Sequence, residues 1–197
     1  YADEIFSMGQ ELQETLLGRF DSGAIRLAIG VASVLPKLIV HRFIEPVFKA
    51  KKNVRIICHE GSPEQLLIDL SAHRLDVVLS DSPIPPKISV RAFNHRLGHC
   101  GISFMAKPEI AKNLREGFPQ TLNKAAVLLP TQDSSMRIEL DRWFESQGLN
   151  PCIVGEFEDS ALLKVFGQKG VGAFAVPTTI EEEVSQQYNV QPFGRPH

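Results

Sequence analysis

Hydroxyls and carboxylates recur in this chain where a strand should give way to a helix. They stand at Ala32-Ser33, Gly61-Ser62, Asp81, Thr131 to Met136 with Ser134 and Ser135 inside it, and Asp159-Ser160. The first N–H groups of a helix lack partners within it and carry partial positive charge. A serine or aspartate there caps its own helix, or joins those N–H groups in holding a small polar ligand. Taken singly, Ser33, Ser62, Ser134 and Asp159 read as caps. Taken as a convergent set, they read as the wall of a binding site, with Gly101 as its floor. The same neighbourhood is acidic: Glu60, Asp81, Asp133, Glu156, Glu158 and Asp159 all fall near those strand ends. Hard cations take several oxygen ligands, so a cation is the favoured occupant, ahead of an aromatic acid, with Asp81 and Asp159 as its candidate ligands. A small polar molecule is the other expected occupant. Strand parity lets at most one side of the Glu156/Glu158 alternation face the site.

Other chemistries fit poorly. His95 and His99-Cys100 lie in a segment that reads as strand. Residues four apart there share a face but stand about 13 Å from each other, too far to share one ion. No G-x-S-x-G turn is present, and Ser62-Pro63 reads as a helix start. The run from Gly167 to Gly172 lacks the lysine and serine of a phosphate loop. Lys164 and Lys169 read as helix-surface charges, and His59 as a satisfied strand histidine. Cys58, Cys100 and Cys152 are odd in number and far apart. They read as reduced, buried cytosolic thiols, with no disulfide frame. The expectation is a cytoplasmic binding domain, not an enzyme, with no cofactor.

The elements that must position these residues follow from apolar runs and caps. A narrow stripe of Ile5, Met8, Leu12 and Leu16 predicts a helix over residues 1–20 that packs on the domain or on a copy of itself. Strands are predicted at Ala24–Val31, Val54–His59 and Asp76–Ser80, with helices after Ser33 and after Ser62. The start Ser62-Pro63-Glu64-Gln65 has a capping serine, a first-turn proline and a glutamine placed for a capping box. The first helix has Leu35, Leu38, Ile39 and Phe43 as its core face, and Pro46 should kink or end it. Beyond the proline-rich loop 81–86, residues 97–106 read as a strand and Pro108–Glu116 as a short helix. Strands then follow at Ala125–Leu129, Cys152–Phe157 and Val171–Val176. Ser134 or Ser135 starts a helix whose core face is Ile138, Leu140, Trp143 and Phe144, and Gly148 ends it. Asp159 starts another bearing Leu162, Leu163 and Phe166, and Thr178 or Thr179 a last one. The two halves repeat one plan, a strand running into a polar helix cap.

The chain has 197 residues, 43% hydrophobic and 22% charged, with formal net charge −2. That suits a globular α/β protein, has no apolar run of about eighteen residues for a membrane span, and shows no basic stripe for tight DNA contact. Lys49, Lys51, Lys52 and Arg55 are its nearest approach to one, and they read as a solvated helix end.

Gly30, Leu35 and Pro36 after the first strand, then Glu60, Gly61, Leu66, Leu67, Leu70, Leu75 and Asp76, are similar to the effector-binding domain of LysR-type transcriptional regulators. Leu140 to Phe144, Gly148, Glu156 and Ala173–Pro177 extend the likeness to about residues 1–190. Residues 75–84, 143–150 and 155–167 resemble a branch of sodium-responsive activators of sodium/proton antiporter genes.

The resemblance implies two Rossmann-like α/β subdomains, residues 21–97 and 98–197, joined by crossing strands like a type II periplasmic binding protein and preceded by a linker helix. It implies an effector pocket at the strand ends named above and a homodimer or homotetramer through the linker helix. DNA would be bound by a helix-turn-helix ahead of Tyr1. It also leads one to expect a return strand and helix for the first subdomain after His197. A free solute-binding protein of the same two-lobe fold is the alternative. A transferase on that fold would need a cofactor-bearing cysteine or a phosphate loop.

Overall fold

The computed structural model describes residues 5, 6, 9, 25–50, 53–85, 90–132 and 134–196. They form two compact units, residues 1–95 and 96–197. Most of the helix expected over residues 1–20, with Met8, Leu12 and Leu16, lies outside the described residues. Ile5 and Phe6 are helical and exposed.

The first unit holds a parallel three-stranded sheet in the order β2-β1-β3, made of β1 (Ile25–Ala32), β2 (Val54–Gly61) and β3 (Val77–Leu79). β1 is central, and its continuous apolar run is buried from Ala28 to Ala32, as expected of a parallel strand flanked on both edges. The third strand is shorter than the expected Asp76–Ser80, and Asp76 at its start pairs differently. The Ala28 N–H donates to Asp76 Oδ2 at 2.7 Å, while the Asp76 N–H donates to the Ala28 carbonyl at 2.8 Å. Helix α1 (Lys37–Lys49) follows β1, and helix α2 (Pro63–Ser71) follows β2. α1 continues one turn past Pro46, without the one backbone bond that a proline cannot donate. α2 packs Leu66 on β1, where Gly30 leaves room: a Cβ there would stand 2.7 Å from Leu75 Cδ1 and 3.0 Å from Leu66 Cδ2.

The second unit holds five strands in the order β6-β5-β7-β4-β8. They are β4 (Ile102–Ala106), β5 (Ala126–Pro130), β6 (Cys152–Phe157), β7 (Ala173–Pro177) and β8 (Gln191–Gly194). β5 runs parallel to β6 and β7, whereas β4 runs antiparallel to β7 and to β8. Helices α3 (Pro108–Arg115), α4 (Ser135–Ser146), α5 (Ser160–Gln168) and α6 (Glu181–Tyr188) complete it. Phe104, fully buried on β4, gathers the rings of Phe118, Trp143, Phe144 and Phe193 within 5.5–6.0 Å. α4 ends at Gly148, whose φ of +63° suits glycine best.

Several expectations change. The strand expected from residue 97 is regular only from Ile102. The Val171 strand begins at Ala173. β8 was hidden by its length and by Pro192, which an edge strand tolerates. Ile138, Leu162 and Phe166 are 45%, 47% and 40% exposed, so the cores take Leu140, Phe144 and Leu163 instead. Cys58 and Cys152 are exposed rather than buried, and all three thiols are free. No helix among the described residues is long and apolar enough to cross a membrane.

Candidate functional site

Parallel strands place all their C-terminal ends on one edge of a sheet, so topology gathers the predicted residues within each unit. In the first unit Ala32 pairs with Gly61 in register. The ladder runs one rung further, the Ser33 N–H donating to the Gly61 carbonyl at 3.1 Å. Ser62 stands next to Gly61 at the N-terminus of α2, and its Oγ accepts from the Gln65 N–H at 3.3 Å. The reciprocal half of the expected capping box is missing, because Gln65 Nε2 donates to Asp69 Oδ1 instead. Asp81 is exposed two residues past β3. Ser33 does not cap α1: the N-cap is Pro36, which has no side-chain acceptor. The Ser33 hydroxyl is therefore not committed to that helix.

The second unit repeats the device. Pro130 pairs with Phe157, and the Thr131 N–H donates to the Phe157 carbonyl at 3.1 Å. Antiparallel β4 begins on this same edge, where Gly101 accepts from the Thr178 N–H at 2.8 Å. Ser134 is the buried N-cap of α4 without a side-chain cap bond, and Ser135 is the first helical residue. Asp159 caps α5, the Ala161 N–H donating to its Oδ1 at 2.7 Å. Ser160 Oγ accepts from Lys164 Nζ at 3.3 Å. Burial, with the Asp159 carboxylate nearby, pushes the Tyr188 phenol above its ordinary value. Thr178 and Thr179 begin a short 3-10 turn instead of capping α6, and Thr178 Oγ1 instead lies 2.9 Å from the buried Ser103 hydroxyl.

Two basic residues escaped the sequence reading. Arg137, on α4 one turn beyond Ser134, is 5% exposed. Its Nη1 donates to the Pro130 carbonyl at 2.9 Å and to Glu156 Oε1, while its Nε donates to Asp141 at 2.9 Å. Burial opposes its charge, but the hydrogen bonds to Glu156 and Asp141 outweigh that and hold the guanidinium above its ordinary value. The visible sign was the i, i+4 spacing of Arg137 and Asp141. Lys164 is the other. It is 7% exposed, not a surface charge.

These residues revise the electrostatics. Glu60 is ion-paired with Lys37 and Glu156 with Arg137. Two of the six acidic groups that suggested a cation thus have basic partners already, and Asp133 lies outside the described residues. No group of three or more His, Cys, Asp or Glu among the described residues could hold a metal ion.

A model of the LysR substrate binding domain matches residues 21–194. The chain belongs to that family. It is also 34% identical over 198 residues to the transcriptional activator protein NhaR of Escherichia coli strain K12, and equally to NhaR of Shigella flexneri. That alignment covers 99% of this chain and 64% of the relative, so the chain spans somewhat less than two thirds of the proteins it matches. Among solved structures, the regulatory domain of Synechocystis PCC6803 CcmR in complex with 2-PG superposes with a TM-score of 0.65 at 15% identity. It covers 85% of this chain and 79% of that one. HinK, a LysR family regulator from Pseudomonas aeruginosa, gives 0.58 at 20% identity, covering 90% and 60%. At such identities the likeness establishes the fold: this is the α/β LysR regulatory-domain fold of the periplasmic-binding-protein type, and the relatives named are regulators, not enzymes.

Proposed function

We propose that this LysR domain senses a small polar effector for a cytoplasmic, DNA-binding transcription activator, with the DNA-binding helix-turn-helix supplied by another part of the protein. The reading is carried by the polar edge in each unit. Ala32, Ser33, Gly61, Ser62 and Asp81 form one; Gly101, Thr131, Ser134, Ser135, Asp159 and Ser160 form the other. Each edge sets a hydroxyl and a helix N-terminus beside exposed backbone. An apolar ligand would leave these groups dry, at about 1–3 kcal/mol for each unsatisfied one. A polar ligand replaces the water they lose. The ion pairs made by Glu60 and Glu156 reduce the negative charge, which favours a polar molecule over a bare monovalent cation. The NhaR relatives favour a regulator over a free solute-binding protein.

Thermal shift tests this. A panel of small hydroxy acids and amino acids is compared with sodium, lithium and potassium chlorides at matched ionic strength. A saturable rise in Tm with one polar compound, reduced by Ser33→Ala or Ser134→Ala, supports the reading. A rise selective for sodium or lithium, abolished by Asp81→Asn or Asp159→Asn, would replace it with a cation sensor. An equal response to all three salts reports screening only. Tight binding of a purely apolar ligand would overturn it.

The same reading includes a homo-oligomer. α1 has no buried residue, and its exposed side opens a shallow apolar groove of about 320 Å³ lined by Val40, Ile44 and Phe48. Phe48 is 67% exposed. A second copy would remove that surface from water.

A further inference from the structure

A groove of about 170 Å³ opens in the second unit between the residues leading into β4 and the flank of α4. Ile102, Leu140, Trp143 and Pro196 give it an apolar lining, and His99, Cys100, Gly101 and Glu139 complete it. Trp143 is held rigidly. Its ring lies 5.8 Å from Phe118 at an interplanar angle of 18°, and 5.5 Å from Phe104. Packing therefore fixes the indole while leaving it half-exposed to the groove. Glu139 is exposed, one helical turn before Trp143, and makes no ion pair or hydrogen bond among the described residues. Arg137 and Asp141, its neighbours on the helix, are bound to each other instead.

An aromatic ring attracts a cation to its face, and more strongly when water is partly excluded. A carboxylate beside the ring adds Coulomb attraction in the same place. An apolar floor holds the carbon body of a ligand but gives an inorganic ion nothing in return for its lost hydration. An anion meets the carboxylate, and a neutral apolar molecule gains nothing from it. The groove is too small for a peptide segment and large enough for a compact molecule of a few carbons.

We propose that this groove is a binding site for a small organic ammonium ion, seated on Trp143 with its charge beside Glu139. The groove meets the second polar edge at Gly101, which belongs to both, but it differs in chemistry from those edges, which offer hydroxyls and helix N-termini.

The protein carries its own reporter, since Trp143 is the single tryptophan of the chain. The experiment titrates the 197-residue chain at pH 8 with choline and follows indole emission. Its neutral isostere, 3,3-dimethylbutan-1-ol, and sodium chloride at equal ionic strength are titrated alongside. Saturable quenching or a spectral shift with choline alone is expected. Glu139→Gln, at an exposed helix position that should not disturb folding, is expected to weaken choline binding about tenfold while leaving the indole emission of the free protein unchanged. Equal response to the alcohol would show a merely apolar dent, and unaltered binding by Glu139→Gln would remove the charge from the site. No saturable change with choline would overturn the proposal outright. The polar-effector reading is tested apart from this one, by Tm with other ligands and by variants at Ser33 and Ser134, so the failure of one is distinguishable from the failure of the other.

Discussion

A guanidinium that is 6% exposed and tied to two carboxylates and a carbonyl is expensive to lose. Arg137 joins the end of β5, the end of β6 and the first turn of α4, the three elements that carry Thr131, Ser134 and Glu156. Arg137→Ala should lower the unfolding free energy by about 1–3 kcal/mol, less than for a fully buried pair because Asp141 and Glu156 can return to water. Urea denaturation measures it, and an unchanged midpoint would show that the network contributes nothing. Arg137→Lys should recover only part, since a single ammonium cannot serve the carbonyl and both carboxylates in the planar fork. The caps Ser62 and Asp159 were legible in the sequence because each is a bond to a residue two or three positions on. Arg137 and Lys164 were not. A charged side chain is buried by partners from distant strands, and nothing local announces them.

Elements show where apolar surface is left uncovered. Besides α1, the edge strand β6 exposes Ile153 and Val154 at 45% and 46%, and α5 exposes Leu162 and Val165 at 47% and 42%. An edge strand with free backbone groups and apolar side chains invites association. On α1, Phe48→Asp should weaken self-association while leaving the circular dichroism of the α/β fold intact, and sedimentation velocity at tens of micromolar would read the change. An equally associated variant would move the interface elsewhere. Strand and helix identities were largely visible, because buried parallel strands such as Ala28–Ala32 and Leu128-Leu129 make continuous apolar runs. β6 kept its expected bounds, other ends shifted by up to five residues, and β8 had no signal in the sequence. A four-residue edge strand containing proline has neither an apolar run nor an alternation to show.

At the scale of the molecule the two units differ in how much they bury. Among the described residues, the first buries mainly small and aliphatic side chains, Ala28, Ile29, Val31, Ala32, Leu66, Leu67 and Leu75, and no aromatic ring. The second has Phe104, Leu122, Val127, Leu129, Leu140, Phe144 and Phe193 in one cluster, with further aromatic rings against it. Stability varies locally with such burial. Hydrogen exchange should therefore show amides of β1 and β2 exchanging by a lower-energy opening than those of β5 and β7. Equal protection in both units would mean that they unfold as one. An effector that binds the polar edge of the first unit should slow its exchange most.

The order of strands and helices, the polar residues at their junctions and the likeness to LysR domains all resided in the sequence. Each depends on short-range pattern: apolar periodicity, cap spacing, glycine and proline placement. The sequence also held the Gly30, Leu66 and Leu75 motif, whose meaning is a close helix-to-strand approach. Which charges are already satisfied was decided by tertiary structure alone. Lys37 reaches Glu60 across 23 positions and Arg137 reaches Glu156 across 19, and those two pairings neutralise part of an acidic neighbourhood. Composition counts charges, but only the fold brings opposite ones within bonding distance. For that reason the positions of the polar residues at the strand ends could be read from the sequence, while the balance of their electrostatics could not.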